Sequence, residues 1–501
     1  MYSSGGSTPA AAGSTVGPAA VCPVLDRVYR TVARHPHRTA VVTATNRLDY
    51  RELWQQVGRW QQRGSKLGLP AGSLVAVRSG SGAGLPAAFL GARAAGLVPL
   101  LIDDGQPVSR IAAVLEAARP AAVLLTDQDD IQPTGQARPR TLPAAAGYLV
   151  FSSGTQGTPK AIVGQAAGLA HFIDWEIAAL GIQPGTRVAM LTSPSFDVCY
   201  RDLLLPLCSG GELHVADQVV RSAPAAVLPW LAGREIEVLH AVPSLSARWI
   251  EADSPPVNSL RHTLFAGEPL YGRHVHRWRQ VAPNTRVSNL YGPSETTLAK
   301  FHYEVPADCG SGLQPVGHPL PDSSFDLVAV GPAEEYGSAR RVVVSTGYGS
   351  LGYLPDTCSA EDLDRLRRTD GVTRFQTQDR GSLDPNGNLV IAGRLDSLVK
   401  RRGSFVDITR IEEAAADLDE VRAACCVQLP SSSEIVLAVQ GPDPDAAAGL
   451  RRKLRAPLGA DLPDRVVVLP SLPLLPGGKA DRREVRRLLN PEEAADERQA
   501  S

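Results

Sequence analysis

From about residue 23 onward, short runs of Val, Leu and Ala alternate with segments whose apolar residues recur every three or four positions. Leu25, Val28, Tyr29 and Val32 keep helical spacing, Thr39–Thr43 reads as a strand, and Leu48–Leu53 opens a helix that runs through Trp54, Val57 and Trp60. Strand-like runs recur at 73–78, 96–103, 121–125, 147–150, 187–191 and 238–242. Strands this apolar must be covered on both faces, and intervening helices do that in parallel sheets. The pattern changes after Gly393-Arg394-Leu395-Asp396. A basic stretch, Lys400-Arg401-Arg402, leads to a helix from about Thr409, strands near 423–428 and 435–440, and a helix from Pro444. The expectation is an α/β chain: a large N-terminal domain of parallel or mixed sheets covered by helices, then a smaller α+β C-terminal domain. The expected boundaries are a disordered leader over 1–20, the core over 21–395, the small domain over 396–490 and a polar, acidic tail over 491–501.

The strand Gly147–Val150 runs into Phe151-Ser152-Ser153-Gly154-Thr155-Gln156-Gly157-Thr158-Pro159-Lys160. Such a loop can turn backbone N–H groups and the hydroxyls of Ser152, Ser153 and Thr155 toward one anion, with Lys160 as a point charge. It is not a Walker A loop, because Pro159-Lys160-Ala161 stands where Gly-Lys-Ser/Thr is required. A second glycine run, Gly80-Ser81-Gly82-Ala83-Gly84, mimics a dinucleotide fingerprint, with Asp103 about twenty residues on. Leu85, however, occupies the position of the third glycine, so a helix-start turn is the reading.

Further along, Asn289-Leu290-Tyr291-Gly292-Pro293-Ser294-Glu295-Thr296-Thr297 joins a tight turn to an aromatic ring, a carboxylate and hydroxyls. Thr377-Gln378-Asp379 precedes an Asp-Pro-Asn-Gly turn at 384–387. Pro473-Leu474-Leu475-Pro476-Gly477-Gly478-Lys479-Ala480-Asp481-Arg482-Arg483 closes the small domain. In this order these stretches resemble the adenylation domains of nonribosomal peptide synthetases, relatives of acyl-CoA synthetases and luciferases, over about residues 23–489. The resemblance implies that an amino-acid carboxylate attacks the α-phosphate of ATP, and that the aminoacyl group then passes from AMP to a thiol. It implies ATP and Mg²⁺ as cofactors. Residues 152–160, among them Ser152, Ser153, Gly154, Thr155, Gly157 and Lys160, would hold phosphates. Tyr291 would stack on adenine, with Gly267, Glu268, Asn289, Gly292 and Ser294 around the nucleotide. Glu295 would bind the metal, and Asp379 would accept the ribose hydroxyls beside Arg394. Lys479 on a mobile small domain and Lys160 would be the catalytic cations, Asp396 the hinge, and Lys400 and Gly403 part of the pantetheine path.

The same resemblance places Asp197, within Phe196-Asp197-Val198-Cys199-Tyr200-Arg201-Asp202, against the α-ammonium of an amino acid. The pocket would continue through Val198, Arg201, His240, Leu264, Ala266, Leu290, Leu298 and Ala299. Val198, His240, Leu264 and Leu290 resemble serine-activating domains; Arg201, Ala266, Leu298 and Ala299 depart from them. His240 and a buried Arg201 would suit a hydroxyl or a carboxylate, which makes serine the first expectation and an aspartate-like side chain the second. Arg201 turned outward to Asp202 would instead leave a small polar or apolar pocket. Gln156, Ala166, Ala339-Arg340-Arg341, Ser350–Tyr353 and Gln378 also stand off the family's pattern.

Fifty-one basic and 52 acidic residues leave a formal charge of −1, so neither nucleic acid nor an anionic membrane is expected as a partner. Seven scattered Cys suggest a reducing, cytoplasmic setting. Met1–Ala20 lacks the basic start and apolar centre of a signal peptide. No His-His-x-x-x-Asp-Gly is present and little chain follows Lys479. The expected partners are therefore an amino acid and a phosphopantetheinyl carrier protein met in trans. The rival readings are an amino-acid:CoA ligase, which a carrier-versus-CoA assay separates, and a degenerate noncatalytic module that binds AMP or a partner.

Overall fold

The expected strands gather into two large sheets in a computed structural model that describes residues 22–80, 82–152, 160–251, 253–331, 339–401, 404–418, 420–430, 432–441, 446–473 and 480–490. Contacts divide the chain into two compact units, Met1–Ser324 with Val344–Phe375, and Phe325–Val343 with Gln376–Ser501. In the first unit, nine strands run in the order His318–Pro319, Phe301–Glu304, Arg286–Tyr291, His262–Ala266, Val238–Ala241, Arg187–Met190, Glu212–Val215, Thr39–Val42, Arg47–Asp49. The strands from Arg286–Tyr291 to Thr39–Val42 are parallel, and antiparallel strands close both edges. A seven-stranded sheet has Ala146–Ser152, Val98–Asp103, Leu74–Ser79 and Ala122–Leu125 in parallel at its centre.

Helices carry apolar residues to both sheets at once. One cluster holds Val188, Leu213 and Val238 from the nine-stranded sheet and Val75, Val77 and Leu101 from the seven-stranded one. It also holds Phe89, Phe172 and Leu203 from the helices Leu85–Ala94, Ala166–Leu180 and Cys199–Ser209. The helix Tyr50–Lys66 starts where the sequence suggests, because Asp49 and Glu52 cap it reciprocally. The glycine run leads into Leu85–Ala94 as expected. Its amides are spent inside the protein, Gly80 N–H on Asp127 Oδ2 at 2.8 Å and Gly82 N–H on Ser79 Oγ at 2.9 Å. Gly91 lets this helix approach the Tyr50–Lys66 helix, for a Cβ there would lie 2.3 Å from Trp60 Cβ.

In the second unit, residues 379–383 pair antiparallel with Leu389–Arg394 across the Asp384–Gly387 turn, where Gly387 takes φ +79°. The hairpin register, Asp379 opposite Arg394, groups 376–395 with the segments C-terminal to them. The contact boundary falls at Phe375/Gln376, and Asp396 lies inside this unit. Ala423–Gln428, Ile435–Gln440 and Arg465–Leu469 form a three-stranded sheet. The helices Ile408–Ala416 and Ala447–Leu458 bury Ile411, Ala415, Leu450 and Leu454 with Cys426 in one cluster; Arg482–Leu489 buries Val485 with Cys425 in another. Adjacent strand residues point to opposite faces, so the Cys425-Cys426 pair cannot chelate a metal together. No helix among the described residues is long and apolar enough to cross a membrane.

Candidate active site

Parallel strands deliver their side chains to a crevice at their carboxyl ends. His240 is in register with Leu264, and Ala266 with Leu290, so these four share one sheet face. All are buried, as are Leu298 and Ala299; Val198 is half-buried. Asp197 lies just ahead of the Cys199–Ser209 helix, and Arg201 follows one turn later. Asp197 is 8% exposed. Burial pushes its carboxyl up, while a hydrogen bond from the Ser294 hydroxyl and the Arg201 charge pull it down.

His240 lies between two acids. Its Nε2 lies 2.7 Å from Glu176 Oε1 and its Nδ1 2.8 Å from Asp202 Oδ1, the latter at too oblique an angle for a full hydrogen bond. Both ring nitrogens face carboxylates, and Nε2 is hydrogen-bonded to Glu176. Burial pulls its pKa down, and the Glu176 charge leads the effects that raise it above the usual histidine value. Arg201 is not turned outward: it is 3% exposed, and its Nε lies 3.9 Å from Asp202 Oδ1. Glu176 was missed by sequence reading. Its signal was an acid among Leu169, Phe172, Ile173 and Leu180 in the apolar stripe of the Ala166–Leu180 helix.

Glu295 follows on the turn after Arg286–Tyr291. Tyr353 Oη–H donates to its Oε1 at 2.5 Å, and burial raises its carboxyl above the usual range. The charges of Asp197 and Lys160 both act on it, in opposite directions, so these groups share one electrostatic neighbourhood. Lys160 opens the strand Lys160–Gln165 and is paired: its Nζ lies 2.6 Å from Asp362 Oδ1. Asp362, another residue sequence reading missed, also takes Arg365 at 2.7 Å. Burial works against its charge, but the Lys160 and Ser359 hydrogen bonds prevail and bring it to about 2.

Tyr291 is half-buried at its strand end, tilted against Phe301. The buried Asn289 amide donates to Pro315 O at 2.8 Å. Gly292 is required by close packing, since a Cβ there would lie 2.4 Å from Leu298 O. Gly267 turns at φ +88°, and Glu268 accepts from Ser244 N–H at 3.1 Å. Ser152 ends the strand Ala146–Ser152. Ser153, Gly154, Thr155 and Gly157 of the phosphate loop lie outside the described residues, as do Lys479 and Gly403.

Beyond Glu295 the backbone is strained. Thr297 and Leu298 take φ +65° and +56°, an outlier conformation for a β-branched residue. Lys300, fully buried, donates its Nζ to Thr297 O at 2.7 Å and holds this turn. Burial pushes its ammonium down to about 7. The unfolded chain keeps that proton to about pH 10.4, so between pH 7 and 10 it binds more protons than the folded chain, and stability rises with pH. Wild type is expected to gain about 2 kcal/mol over Lys300→Met between pH 7 and 9. Urea unfolding at the two pH values checks this, and an unchanged difference refutes it.

In the second unit, Arg394 links two expected site residues. It reaches Asp379 Oδ1 at 3.2 Å through Nη1 and grips Asp396 through Nε and Nη2, each at 2.8 Å. Thr377 Oγ1 accepts from Asp379 N–H at 3.0 Å and donates to Val342 O at 2.8 Å, fixing the strand that carries the carboxylate. Arg380 pairs with Asp407, which caps the Ile408–Ala416 helix. Lys400 pairs with Phe405 in a two-stranded ribbon.

Residues 28–144 and 127–338 match the family described as AMP-binding enzyme. The chain is 28% identical over 494 residues to Delta-poly-L-ornithine synthetase of Acinetobacter baumannii (strain AB307-0294), covering 92% of this chain and 36% of that protein. It spans 6% to 42% of the length of curated relatives that it matches. Its fold is that of holo-AB3403, a four-domain nonribosomal peptide synthetase bound to AMP and glycine, at TM-score 0.77 and 21% identity, over 92% of this chain and 36% of that one. It is also that of ATP-bound MatB from Rhodopseudomonas palustris, at TM-score 0.78 and 18% identity, over 94% and 99%.

Proposed function

The chain belongs to the AMP-binding enzyme family, and on that premise we propose that it activates an α-amino acid with ATP and passes it to the pantetheine thiol of a separate carrier protein. A carboxylate oxygen of the amino acid attacks the α-phosphorus. The bond from that phosphorus to the bridging oxygen breaks, and pyrophosphate leaves with the electron pair. A thiolate then attacks the acyl carbon, a thioester forms, and AMP leaves.

The observation that carries this reading is Asp197. It is a buried carboxylate whose burial is opposed by one hydroxyl, one distant charge and two backbone N–H groups, and no Lys, Arg or His among the described residues lies within 4 Å of it. An α-ammonium is the group that would complete it. The AMP and glycine held by the neighbouring four-domain synthetase support the same assignment.

In this proposal Tyr291 stacks on adenine, and Asp379, oriented by Arg394, binds the ribose hydroxyls. Residues 152–160 bind phosphates, and Lys479 supplies a cation to the reacting groups. Glu295 fits a magnesium ion: its Oε2 is left by the Tyr353 bond, and a hard cation would offset the burial that raises its carboxyl. Magnesium, when bound, neutralises phosphate charge. Asp396 is the hinge, and Lys400 with Gly403 borders the thiol's path. The side chain activated is serine or an aspartate-like acid on the sequence reading.

Amino-acid-dependent ATP–pyrophosphate exchange tests the proposal across the common amino acids. Exchange with one or a few of them is expected. Exchange with none overturns it.

A further inference from the structure

Beneath Asp197 lie four ionisable side chains, each 3% exposed or less: Glu176, His240, Asp202 and Arg201. They come from two helices and one strand, and they are ordered in space by charge. Glu176 lies 2.7 Å from one ring nitrogen of His240, Asp202 lies 2.8 Å from the other, and Arg201 Nε lies 3.9 Å from Asp202. A carboxylate has no proton to give, so an imidazole between two of them must present N–H on both sides. The chain therefore reads minus, plus, minus, plus, and sums to zero.

Hydrogen bonds are missing at several points of this chain: Glu176 Oε2, His240 Nδ1, both Asp202 oxygens and Arg201 Nε are buried without one. Arg201 makes no hydrogen bond to a described residue, and its Nε is buried without a partner. A buried guanidinium with five unused N–H donors is costly unless an acceptor arrives. A hydroxyl satisfies one of those donors. A carboxylate takes two in a planar fork and continues the alternation of charge. Arg201 stands four residues after Asp197, in the first turn of the Cys199–Ser209 helix, and its charge acts on the Asp197 carboxylate. His240 Nε2 is hydrogen-bonded to Glu176 and its Nδ1 faces Asp202, so acids lie on both sides of the ring.

We propose that Glu176, His240 and Asp202 form a buried buttress that holds Arg201 as a carboxylate receptor, so that the amino acid activated carries an acidic side chain. Arg201 is the specificity-determining contact, and Glu176 is a positioning residue acting through His240. The inference rests on the amino-acid activation proposed above.

Pyrophosphate exchange with aspartate, glutamate, asparagine, glutamine and serine tests it on the wild-type chain. The expected result is a kcat/KM at least 100-fold higher for one acid than for its own amide. Arg201→Met should reduce that preference to less than 10-fold. Glu176→Gln should raise KM for the acid about 10-fold while leaving kcat and the KM for ATP within 2-fold, a split that a general loss of folded protein would not produce. Serine or an amide preferred by wild type overturns the carboxylate receptor and leaves amino-acid activation standing. Exchange with no amino acid at all removes the activation reading and this inference with it. The wild-type profile decides the matter even if neither variant folds.

Discussion

Asp197→Asn is expected to lower kcat/KM for the amino acid in pyrophosphate exchange by on the order of 10³-fold, with the KM for ATP unchanged. Asparagine keeps the shape and an acceptor for the Ser294 hydroxyl, so the variant isolates the charge. Two unit charges about 4 Å apart at an effective dielectric near 20 attract by roughly 4 kcal/mol, which corresponds to about three powers of ten. Desolvating the ammonium reduces that gain. The carboxylate side of the cost was met on folding, because Asp197 is already buried, supported by the Ser294 hydroxyl, the Arg201 field and the backbone N–H groups of Val198 and Asp197. Substrates lacking the α-amino group should fail with wild type for the same reason. A loss below 10-fold, or wild-type exchange with a des-amino acid, would remove Asp197 from its role.

Lys479→Ala should cost on the order of 10²–10³ in kcat for adenylate formation, the usual loss of one preorganised charge donor, while ATP still binds. The chemical step drives a carboxylate against a polyphosphate, so cations must be aimed at the charge that develops there. Lys160 is a limited source, because Asp362 holds its ammonium at 2.6 Å in the structure. Arg365 shares that carboxylate at 2.7 Å and adds a charge to the cluster. A phosphate must draw Lys160 away from its partner, which leaves the reaction more dependent on a second cation. Single-turnover formation of the adenylate, with ATP binding measured separately, separates the two steps. Near-normal turnover in the variant would refute the role.

The nucleotide and metal assignments came from short stretches whose chemistry is local: a hydroxyl- and glycine-rich loop, a Tyr-Gly-Pro turn followed by Glu295, an Asp just before a hairpin. The hairpin at Asp384–Gly387 formed as its turn residues indicate, because Asp384 and Gly387 are compatible with the tight turn whatever lies elsewhere. The side-chain pocket was a different matter. The sequence offers Arg201 and His240 as groups that suit a substrate hydroxyl or carboxylate, or Arg201 as a partner of Asp202. Their behaviour depends on Glu176, 64 positions before His240, and on Asp202, whose facing could not be known until its helix was packed.

Apolar periodicity and turn chemistry indicated an α/β chain, since each depends on residues a few positions apart, and the ordered motifs added the resemblance to adenylation domains. Tertiary structure alone decided which charges are spent. The Lys160–Asp362 pair joins residues 202 positions apart, and the Glu176–His240 pair joins a helix to a strand. Such couplings arise when sheets and helices close on one another and water is excluded, and no local pattern records them.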